Sequence, residues 1–467
     1  MGIAVRALVL VTSLISFAIL TSIPLSSAAA PAATSSKHPK YASPPPPQPT
    51  LPPDVAIGRR APSSAVFPLY GDVYPHGLYY VSMSIGDPPK PYFLDVDTGS
   101  DLTWVQCDAP CVSCSIGPHP WYRPGRNNLV ACQDPLCVAL QRATSGYQSC
   151  YGTQQCDYEI QYADHGSSLG VLVSDAFALR LTNTSVVRPS LAFGCGYDQQ
   201  FTNSKSPSPT DGMLGLGSGK TSMISQLKEQ GITRNVVGHC LSSKGGGFLF
   251  FGDDLVPYTK VTWAPMSRSA LKNYYSPGQA SLYFGTQSLG VKQMEVVIDS
   301  GSSYTYFGFQ PYQALLSALQ TELAKKPLKE ALDDSSLPLC WRGRRPFKSL
   351  LDVKKYFKTL ILSFVNGKRA FLEIPPENYL IITKYGNACL GILNGTQVGL
   401  NDLNVIGDIS MQDLMIVYDN EKEQIGWIHA ACDRLPNAEA NGGSFEGGFC
   451  QPQFADLGVH TEVCPAY

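Results

Sequence analysis

Two short strings that match each other most constrain what this chain can fold into. The first is Asp97-Thr98-Gly99-Ser100, and the second, 202 residues further on, is Asp299-Ser300-Gly301-Ser302. Each aspartate ends an apolar run, residues 92–96 and 294–298, and is followed by a small residue, a glycine and a hydroxyl residue. This order predicts a strand that delivers a carboxylate into a tight turn. One such string arises easily by chance, whereas a matched copy in each half predicts a shared site.

A second pair of matching strings points to an internal duplication. Met213-Leu214-Gly215 lies 118 residues after Asp97, and Val405-Ile406-Gly407 lies 108 residues after Asp299. Two apolar residues followed by a glycine therefore recur at similar spacing in both halves of the chain. Self-similarity of this kind predicts that the two halves fold into related units.

Length and composition predict a mainly β protein with two lobes. A chain of 467 residues is too long for one ordinary core, and its short runs of Val, Ile, Tyr and Phe are broken by 42 Gly and 36 Pro. Helical patterns are few, the clearest being residues 222–230 and 311–319. We place the first lobe at 67–257, the second at 258–432, and a polar Gly-rich tail at 433–467.

The N-terminus is typical of a targeting segment. Arg6 precedes an apolar stretch that continues to Leu20, and three alanines at 28–30 offer a cleavage site, so residues 1–30 are predicted to be a signal peptide. The alternative is a membrane anchor, but the stretch is short, and no later apolar run of ~18 residues follows. Residues 31–66 are rich in Pro and Ser and are either a propeptide or a plain linker.

The paired aspartate strings resemble the two active-site turns of the pepsin-like aspartic proteases, and matching motifs run from about residue 79 to residue 432. The resemblance implies a bilobal, mainly β fold with a cleft between two lobes related by a pseudo-twofold axis. It also implies that Asp97 and Asp299 are the catalytic residues and that the strings ending in Gly215 and Gly407 brace them. The residues expected to support the two carboxylates are Thr98, Gly99, Ser100, Ser300, Gly301 and Ser302.

Two carboxylates suffice for peptide hydrolysis without a metal or other cofactor. The reaction needs a base that activates water and an acid that protonates the leaving group. Two like charges held in contact cannot both ionise, so the pair shares one proton and fills both roles at acidic pH. The alternative for either aspartate alone is that it merely caps a turn. We expect a polypeptide substrate, no cofactor and no metal.

Two aromatic residues fit the same resemblance. Trp104 stands seven residues after Asp97, and residues 160–170 are similar to the flap, a hairpin that closes over substrate. Tyr162 falls at the flap-tyrosine position, where the family's tyrosine bonds this tryptophan, although Ala163 and His165 depart from the usual pattern. The alternative for Tyr162 is an ordinary strand aromatic.

Fourteen cysteines, eight of them between Cys107 and Cys195, predict an oxidising compartment. Cys107, Cys111 and Cys114 look like a zinc knuckle, but no histidine pair is suitably spaced and the signal peptide favours disulfides. The insert resembles the plant nucellin-like and nepenthesin-like branch of the family. That resemblance implies the pairs Cys107–Cys111, Cys114–Cys195, Cys132–Cys156, Cys137–Cys150, Cys240–Cys432 and Cys340–Cys389, with Cys450 and Cys464 left to pair outside the family core.

The remaining signals concern destination and partners. Asn183 and Asn394 begin glycosylation sequons, which matter because the chain is predicted to enter the secretory pathway, bound for the apoplast or the vacuole. The net charge of −2 and the lack of a long basic run exclude nucleic acid as an expected partner. We expect a monomer without a stable membrane anchor.

Three functions fit these observations. The first is an aspartic endopeptidase that is active at acidic pH. The second is a catalytically silent binding or inhibitor protein on the same fold, which commonly alters a catalytic turn, whereas both turns are intact in this sequence. The third is a structural cell-wall glycoprotein, which the Pro-rich segment alone suggests.

Overall fold

The structure is a computed structural model, and it describes residues 63–110, 116–125, 127–143, 155–163, 166–200, 209–267, 274–365 and 370–435. The predicted signal peptide, almost all of the 31–66 segment and most of the tail lie outside these residues. Within the described part of the chain, no helix is both long and apolar enough to cross a bilayer.

Strands dominate the chain, as the composition predicts. The first thirteen are β1 Ala65–Asp72, β2 Leu78–Ile85, β3 Lys90–Asp97, β4 Trp104–Gln106, β5 Asp157–Gln161, β6 Ser167–Arg180, β7 Val186–Val187, β8 Ser190–Gln200, β9 Gly212–Gly215, β10 Val236–Leu241, β11 Gly247–Phe251, β12 Thr262–Pro265 and β13 Gly278–Phe284. The others are β14 Gln287–Ser288, β15 Met294–Ile298, β16 Thr305–Phe307, β17 Lys329–Glu330, β18 Cys340–Arg342, β19 Leu360–Phe364, β20 Phe371–Ile374, β21 Leu380–Ile382, β22 Ala388–Leu390, β23 Ile392–Asn394, β24 Asn404–Ile406, β25 Leu414–Asp419 and β26 Gln424–His429.

The α-helices are short and few within the described residues. They are α1 Pro135–Ala143, α2 Met223–Glu229, α3 Phe309–Leu323, α4 Leu350–Val353 and α5 Asp408–Met411. Both helices predicted from the sequence are confirmed as α2 and α3. In α2, Ser222 caps the N-terminus by accepting a hydrogen bond from the Ser225 amide. In α3, Leu315 and Leu319 lie on the face that is buried against the second lobe's core.

The strands form three sheets. The largest has fourteen strands in the order β12-β26-β25-β10-β11-β1-β2-β3-β9-β4-β8-β6-β5, with β7 paired to β6. The second has the order β20-β19-β13-β15-β24-β16-β23, with β14 paired to β13, and the third has the order β17-β18-β22-β21. The C-terminal strand β25 pairs with β10 of the first half, and both are buried at every residue. The largest sheet therefore joins the two halves of the chain.

The sheet topology confirms the internal duplication. In the first half, β3 runs parallel to β9, which is antiparallel to β4, which is parallel to β8. In the second half, β15, β24, β16 and β23 repeat the same three pairings in the same order. Asp97 ends the first strand of the first set, and Asp299 directly follows the first strand of the second set. The repeated set of strands therefore places both aspartates at equivalent points.

The observed disulfides confirm two of the predicted pairs. Cys240 is bonded to Cys432, which ties the end of the second half to β10, and Cys340 is bonded to Cys389 across neighbouring strands. All nine cysteines among the described residues are oxidised. Cys111, Cys114, Cys150, Cys450 and Cys464 lie outside the described residues.

Four predicted pairs are wrong. Cys107 is bonded to Cys195, so the pairs Cys107–Cys111 and Cys114–Cys195 do not form. The reason is the parallel pairing of β4 with β8, in which the Cys107 amide bonds the Gly196 carbonyl and the two cysteine Cα atoms lie 5.2 Å apart.

The second correction concerns α1. Cys137, in the first turn of this helix, is bonded to Cys156, so the pairs Cys132–Cys156 and Cys137–Cys150 are also wrong. Cys156 directly precedes β5, and its Cα lies 5.8 Å from that of Cys137. Cys132 is disulfide-bonded as well.

Candidate active site

The first aspartate turn holds its carboxylate with two hydrogen bonds from its own residues. Asp97 is only 5% exposed. The Gly99 amide donates to Asp97 Oδ1 at 2.8 Å, and the Ser100 hydroxyl donates to Asp97 Oδ2. Both oxygens therefore have a fixed donor, which orients the carboxylate toward the cleft that it lines.

The second turn repeats this arrangement. The Gly301 amide donates to Asp299 Oδ1 at 2.9 Å, and the Ser302 hydroxyl donates to Asp299 Oδ2 at 2.9 Å. The glycine and the hydroxyl residue of each string thus serve the same carboxylate oxygens in both halves.

The residues between the aspartates and the glycines bind the two turns to each other. The Thr98 amide donates to Ser300 Oγ at 3.2 Å, and the Ser300 amide donates to Thr98 Oγ1 at 3.0 Å. The Ser300 hydroxyl donates to the Val96 carbonyl at 2.9 Å, and the Thr98 hydroxyl donates to the Ile298 carbonyl at 3.4 Å. Each side chain therefore bridges to the opposite strand, and this exchange fixes the relative position of the two carboxylates.

Each carboxylate lies against the glycine of the opposite turn. A Cβ atom built on Gly99 would lie 2.6 Å from Asp299 Oδ1, and one on Gly301 would lie 2.5 Å from Asp97 Oδ1. Any larger residue at either position would push the opposing carboxylate away, so the close approach requires glycine. The two carboxyl groups are in hydrogen-bonding contact with each other.

Burial and the neighbouring charge raise the pKa of Asp97. Burial has the larger effect because it penalises the charged form, and the Asp299 carboxylate adds like-charge repulsion. The hydrogen bonds from Ser100 and Gly99 oppose this rise only in part. The pair therefore retains one proton at a pH where an isolated aspartate would have lost it.

The predicted flap contact is present. Trp104 Nε1 donates to the Tyr162 hydroxyl at 2.7 Å, and Tyr162 follows directly after β5. Strands β5 and β6 form an antiparallel hairpin, and the Tyr162 amide donates to the Gly166 carbonyl at 2.8 Å. Tyr162 lines the same cleft as the two aspartates. His165 lies outside the described residues.

The cleft has a volume of about 1060 Å³. It contains both aspartates, the flap strand β5, the end of α1 and a stretch of the second half around Leu400. An extended peptide of several residues fits a space of this size, because drug-sized ligands occupy roughly 300–1,000 Å³.

Asp408 is a buried carboxyl group that the sequence analysis missed. It directly follows Gly407, the last residue of the second supporting string. The side chain is fully buried, and neither carboxylate oxygen has a hydrogen-bond partner. Burial raises the pKa of Asp408 well above its usual range, and the Asp299 charge acts in the same direction. A charged residue directly after the second glycine, where the first half has Leu216, is the signal that could have identified it.

A buried polar chain also reaches the site from β10. The Tyr418 side chain bonds that of Thr98, and the Tyr418 hydroxyl lies 3.1 Å from Nε2 of His239. Burial lowers the pKa of His239 to about 3, so this histidine is neutral in the mildly acidic range. These residues lie far apart in sequence, and no motif in the chain indicates the contact.

Two other groups of predicted residues lie away from the cleft. Asn183 is exposed in a turn, and its side chain accepts from the Ser185 amide, whereas Asn394 is half-buried and caps a short helical turn. Among the described residues, one group has metal-like spacing, Asp334 with Cys340 and Cys389. Because the two cysteines form a disulfide, they offer no thiolates to a metal.

Comparisons with known proteins agree on one family. Family models described as xylanase inhibitor N-terminal and xylanase inhibitor C-terminal match residues 79–253 and 278–428. An aspartic proteinase of Oryza sativa subsp. japonica is 50% identical over 389 residues, which cover 81% of this chain and 94% of the relative. Aspartic proteinase nepenthesin-1 of Nepenthes gracilis is 26% identical over 76% of this chain and 78% of its own length.

Solved structures match the fold at low sequence identity. Basic 7S globulin from soybean superposes with a TM-score of 0.63 and 18% identity, covering 80% of this chain and 99% of the globulin. An aspartic proteinase from Irpex lacteus gives a TM-score of 0.56 and 16% identity, covering 79% of this chain and 98% of the proteinase. The architecture is therefore the mainly β, bilobal fold of the pepsin-like aspartic proteases.

Proposed function

The chain belongs to the plant pepsin-like aspartic proteases, and on that premise we propose that it is an acid endopeptidase with Asp97 and Asp299 as catalytic residues. The reciprocal contact of the two turns carries the proposal. Each carboxylate receives two hydrogen bonds from its own turn, touches the glycine of the other turn, and shares a buried space with its partner.

The proposed reaction uses one ionised and one protonated carboxyl group. The ionised group takes a proton from water as the water oxygen attacks the peptide carbonyl carbon, and the protonated group gives its proton to the carbonyl oxygen. The C–N bond of the resulting diol then breaks as the nitrogen receives a proton from the pair and one diol hydroxyl returns a proton to it, which leaves an amine, a carboxylic acid and a pair that again holds one proton. Because the Asp97 pKa is raised, the shared proton persists into the mildly acidic range.

The flap has a part in the same proposal. With Tyr162 held by Trp104 at the cleft wall, closure of the β5–β6 hairpin would exclude bulk water from the peptide and orient it against the carboxylates. The residues that follow each aspartate would act as positioning residues, since they bind the carboxylates and the opposite turn but lie outside the bond that breaks.

The proposed setting is the secretory pathway. Nine oxidised cysteines and an exposed sequon at Asn183 support it, since disulfides persist in oxidising compartments. Within this proposal, residues 1–30 are the signal peptide, 31–66 a propeptide or linker, and 67–257 and 258–432 the two lobes. The mature protein would act on polypeptides as a monomer in the apoplast or the vacuole.

A silent binding protein is the rival function. The matched family models bear the name of xylanase inhibitors, and one structural neighbour is a seed globulin, and neither name denotes a protease. The complete hydrogen-bond set at both turns favours catalysis, because a protein that only binds has no need of two carboxylates forced into contact.

One assay separates the two functions. The purified mature chain is incubated with a denatured protein substrate across acidic pH, with and without the transition-state inhibitor pepstatin. Endopeptidase function predicts internal cleavage at acidic pH that pepstatin abolishes. Absence of cleavage by a folded, pepstatin-binding chain would establish the silent protein instead.

A further inference from the structure

The charged residues in the described lining of the cleft are all acidic. Five acidic residues face it, and among the described lining residues there is no lysine, arginine or histidine. The acidic set is Asp97, Asp101, Asp157, Glu159 and Asp299. The whole chain has nearly equal numbers of basic and acidic residues, 35 lysines and arginines against 37 aspartates and glutamates. The acidic excess in the described lining is therefore local to the cleft.

Two of the five carboxylates are free to meet a substrate without taking part in the chemistry. Asp97 and Asp299 form the central pair, and Asp101 is tied to the fold because its Oδ1 accepts the Gly219 amide at 2.7 Å. The remaining two, Asp157 and Glu159, lie on strand β5 of the flap hairpin.

The alternation of β5 puts both of these carboxylates on one face. Along the strand, Tyr158 is buried and bonded to the Ser168 hydroxyl at 3.1 Å, whereas Glu159 is exposed. Asp157 and Glu159 are two residues apart, so their side chains lie on the same side of the strand. Each accepts a hydrogen bond from an uncharged glutamine, since Gln155 donates to Asp157 at 2.8 Å and Gln161 donates to Glu159 at 3.2 Å.

Helix α1 is joined to the strand that carries these two carboxylates. Leu140 and Gln141 of this helix line the cleft together with β5. The disulfide between Cys137 in α1 and Cys156, the residue just before β5, joins the helix to the strand. The cysteine-rich insert therefore contributes a wall that is covalently attached to the flap.

Beyond its aspartate turn, the second half of the chain lines the cleft mainly with apolar residues. This lining includes Tyr306, Val398, Leu400 and Leu403, and Val398 is 42% exposed. The lining from β5 and the lining from the second half thus differ in chemistry, and a peptide in the cleft would meet carboxylates from one and hydrocarbon from the other.

We propose that Asp157 and Glu159 select peptides with a lysine or arginine on the side of the cleaved bond that faces β5, and that the apolar lining from the second half takes a hydrophobic residue of the same peptide. This proposal rests on the proposed protease function and names its substrate class. Glu159 lies three residues before Tyr162, roughly 10 Å along the strand at ~3.3 Å per residue, which places the basic residue about two to three positions from the cleaved bond.

The test uses peptides that differ at a single position. A soluble peptide with an apolar residue at the cleaved bond is made with lysine, norleucine or glutamate at each of the positions two to four residues away on either side. The kcat/KM of each peptide is measured for the wild type, Glu159→Gln, Asp157→Asn and Glu159→Lys. Glu373→Gln is the matched control, because Glu373 is exposed on β20, outside the cleft.

The wild type should prefer lysine over norleucine by about two- to fivefold at one position, the range expected for a solvent-exposed ion pair. The preference should appear in KM and shrink at high salt. It should fall toward one in Glu159→Gln and in Asp157→Asn, turn toward glutamate in Glu159→Lys, and stay unchanged in Glu373→Gln. Equal cleavage of the three peptides at every position, or a preference that both neutral variants retain, would overturn the proposal.

A binding measurement keeps this proposal separate from the protease function. The Kd of the same peptides for Asp97→Asn is measured by fluorescence anisotropy, which needs no turnover. If the wild type cleaves none of the peptides, the protease function fails, and the Kd ratio of lysine to norleucine alone decides whether the acidic wall selects basic peptides.

Discussion

The two aspartate turns share a backbone design and differ in what surrounds them. In both, a glycine amide and a hydroxyl hold the carboxylate, and the residue between exchanges hydrogen bonds with its counterpart. Asp97 is buried and lies in the half that carries the flap and the bond between Trp104 and Tyr162, whereas Asp299 is half-buried. The duplication thus supplies the symmetric part of the site, and the asymmetric part comes from elements that only one half has.

A second difference lies beneath the turns. The glycine of the supporting string is followed by the apolar Leu216 in the first half and by the buried carboxyl group of Asp408 in the second. The Asp408 amide donates to the Ser302 carbonyl at 2.8 Å, so this acid is attached to the second turn. At equivalent positions after the two supporting strings, the second half therefore has a side chain that can bind or release a proton, and the first half has one that cannot.

Removing either carboxylate tests whether the two turns contribute equally to the reaction, and it should reduce turnover more than any other substitution. Asp97→Asn and Asp299→Asn each leave the pair without one of its two roles, and general acid–base groups contribute roughly 10²–10⁴-fold to rate. We expect kcat to fall by about 10³-fold or more in both variants, measured with a peptide substrate at acidic pH. The two losses should be similar although the burial of the two residues differs.

Asp87→Asn serves as the control for these variants, since the Asp87 side chain is 81% exposed and far from the cleft in a β2–β3 turn. It should keep wild-type turnover. A folded Asp97 or Asp299 variant with turnover near that of the control would refute the assignment of the pair.

Substitution of the flap residue Tyr162 tests the role of the β5–β6 hairpin, which only the first half of the chain contributes. Tyr162→Phe removes the hydrogen bond to Trp104 and should lower kcat/KM several-fold, in line with about 1 kcal/mol for a hydrogen bond. Tyr162→Ala also removes the ring that closes over the peptide and should cost at least about tenfold. Thermal unfolding should change little in either variant. If Tyr162→Ala loses stability but keeps its turnover, Tyr162 is an ordinary strand aromatic. The control is Tyr385→Ala, because Tyr385 is exposed and lies outside the cleft.

The buried acid beneath the second turn should make stability depend on pH. The pKa of Asp408 is raised by burial in the folded chain and is ordinary, about 4, in the unfolded chain. Below that pH both states are protonated and nothing is lost. As the pH rises toward the folded-state pKa, only the unfolded chain releases its proton, so the free energy of unfolding falls.

Asp408→Asn removes this titration. We expect the wild-type Tm to drop between pH 4 and pH 8 by at least about 3 °C more than that of the variant, since 1 kcal/mol corresponds to a few degrees. Thermal unfolding across this pH range measures the difference, with Asp87→Asn as the control. Parallel Tm curves for Asp408→Asn and the wild type would mean that Asp408 does not keep its proton in the folded state.

What the sequence predicted well was local or repeated. The strands that end at Asp97 and Asp299, the helices α2 and α3, and the contact between Trp104 and Tyr162 all follow from patterns of a few residues or from a family motif. The disulfides of the insert were wrong because the pairing of β4 with β8 brings Cys107 to a cysteine 88 residues away. The predicted pairs were taken from a resemblance in cysteine order, and that order does not show which cysteines the sheet brings together.

The part of the site that was missed depends on burial. Asp408 was visible as a residue, but only the packed structure shows that its carboxyl group has no partner and no solvent. The acidic wall was missed for a similar reason, since Glu159 resembles an ordinary solvated residue until the topology places β5 along the cleft. Sequence motifs thus identified the two aspartate turns. The residues around the turns that differ between the halves could be identified only from the tertiary structure.

The exchange between Thr98 and Ser300 offers the finest test of the symmetric part, because it changes single hydrogen bonds and leaves both carboxylates in place. Thr98→Val and Ser300→Ala each remove one hydroxyl and leave the opposite amide without its acceptor, so each should lower the free energy of unfolding by about 1–3 kcal/mol. Because the two hydroxyls belong to one reciprocal pair, the double variant should cost less than the sum of the single ones. Thr98→Ser keeps the hydroxyl, makes the two turns chemically alike and should stay within about 1 kcal/mol of the wild type. Chemical denaturation of the four variants measures these values, and strictly additive losses would show that the two turns are held independently.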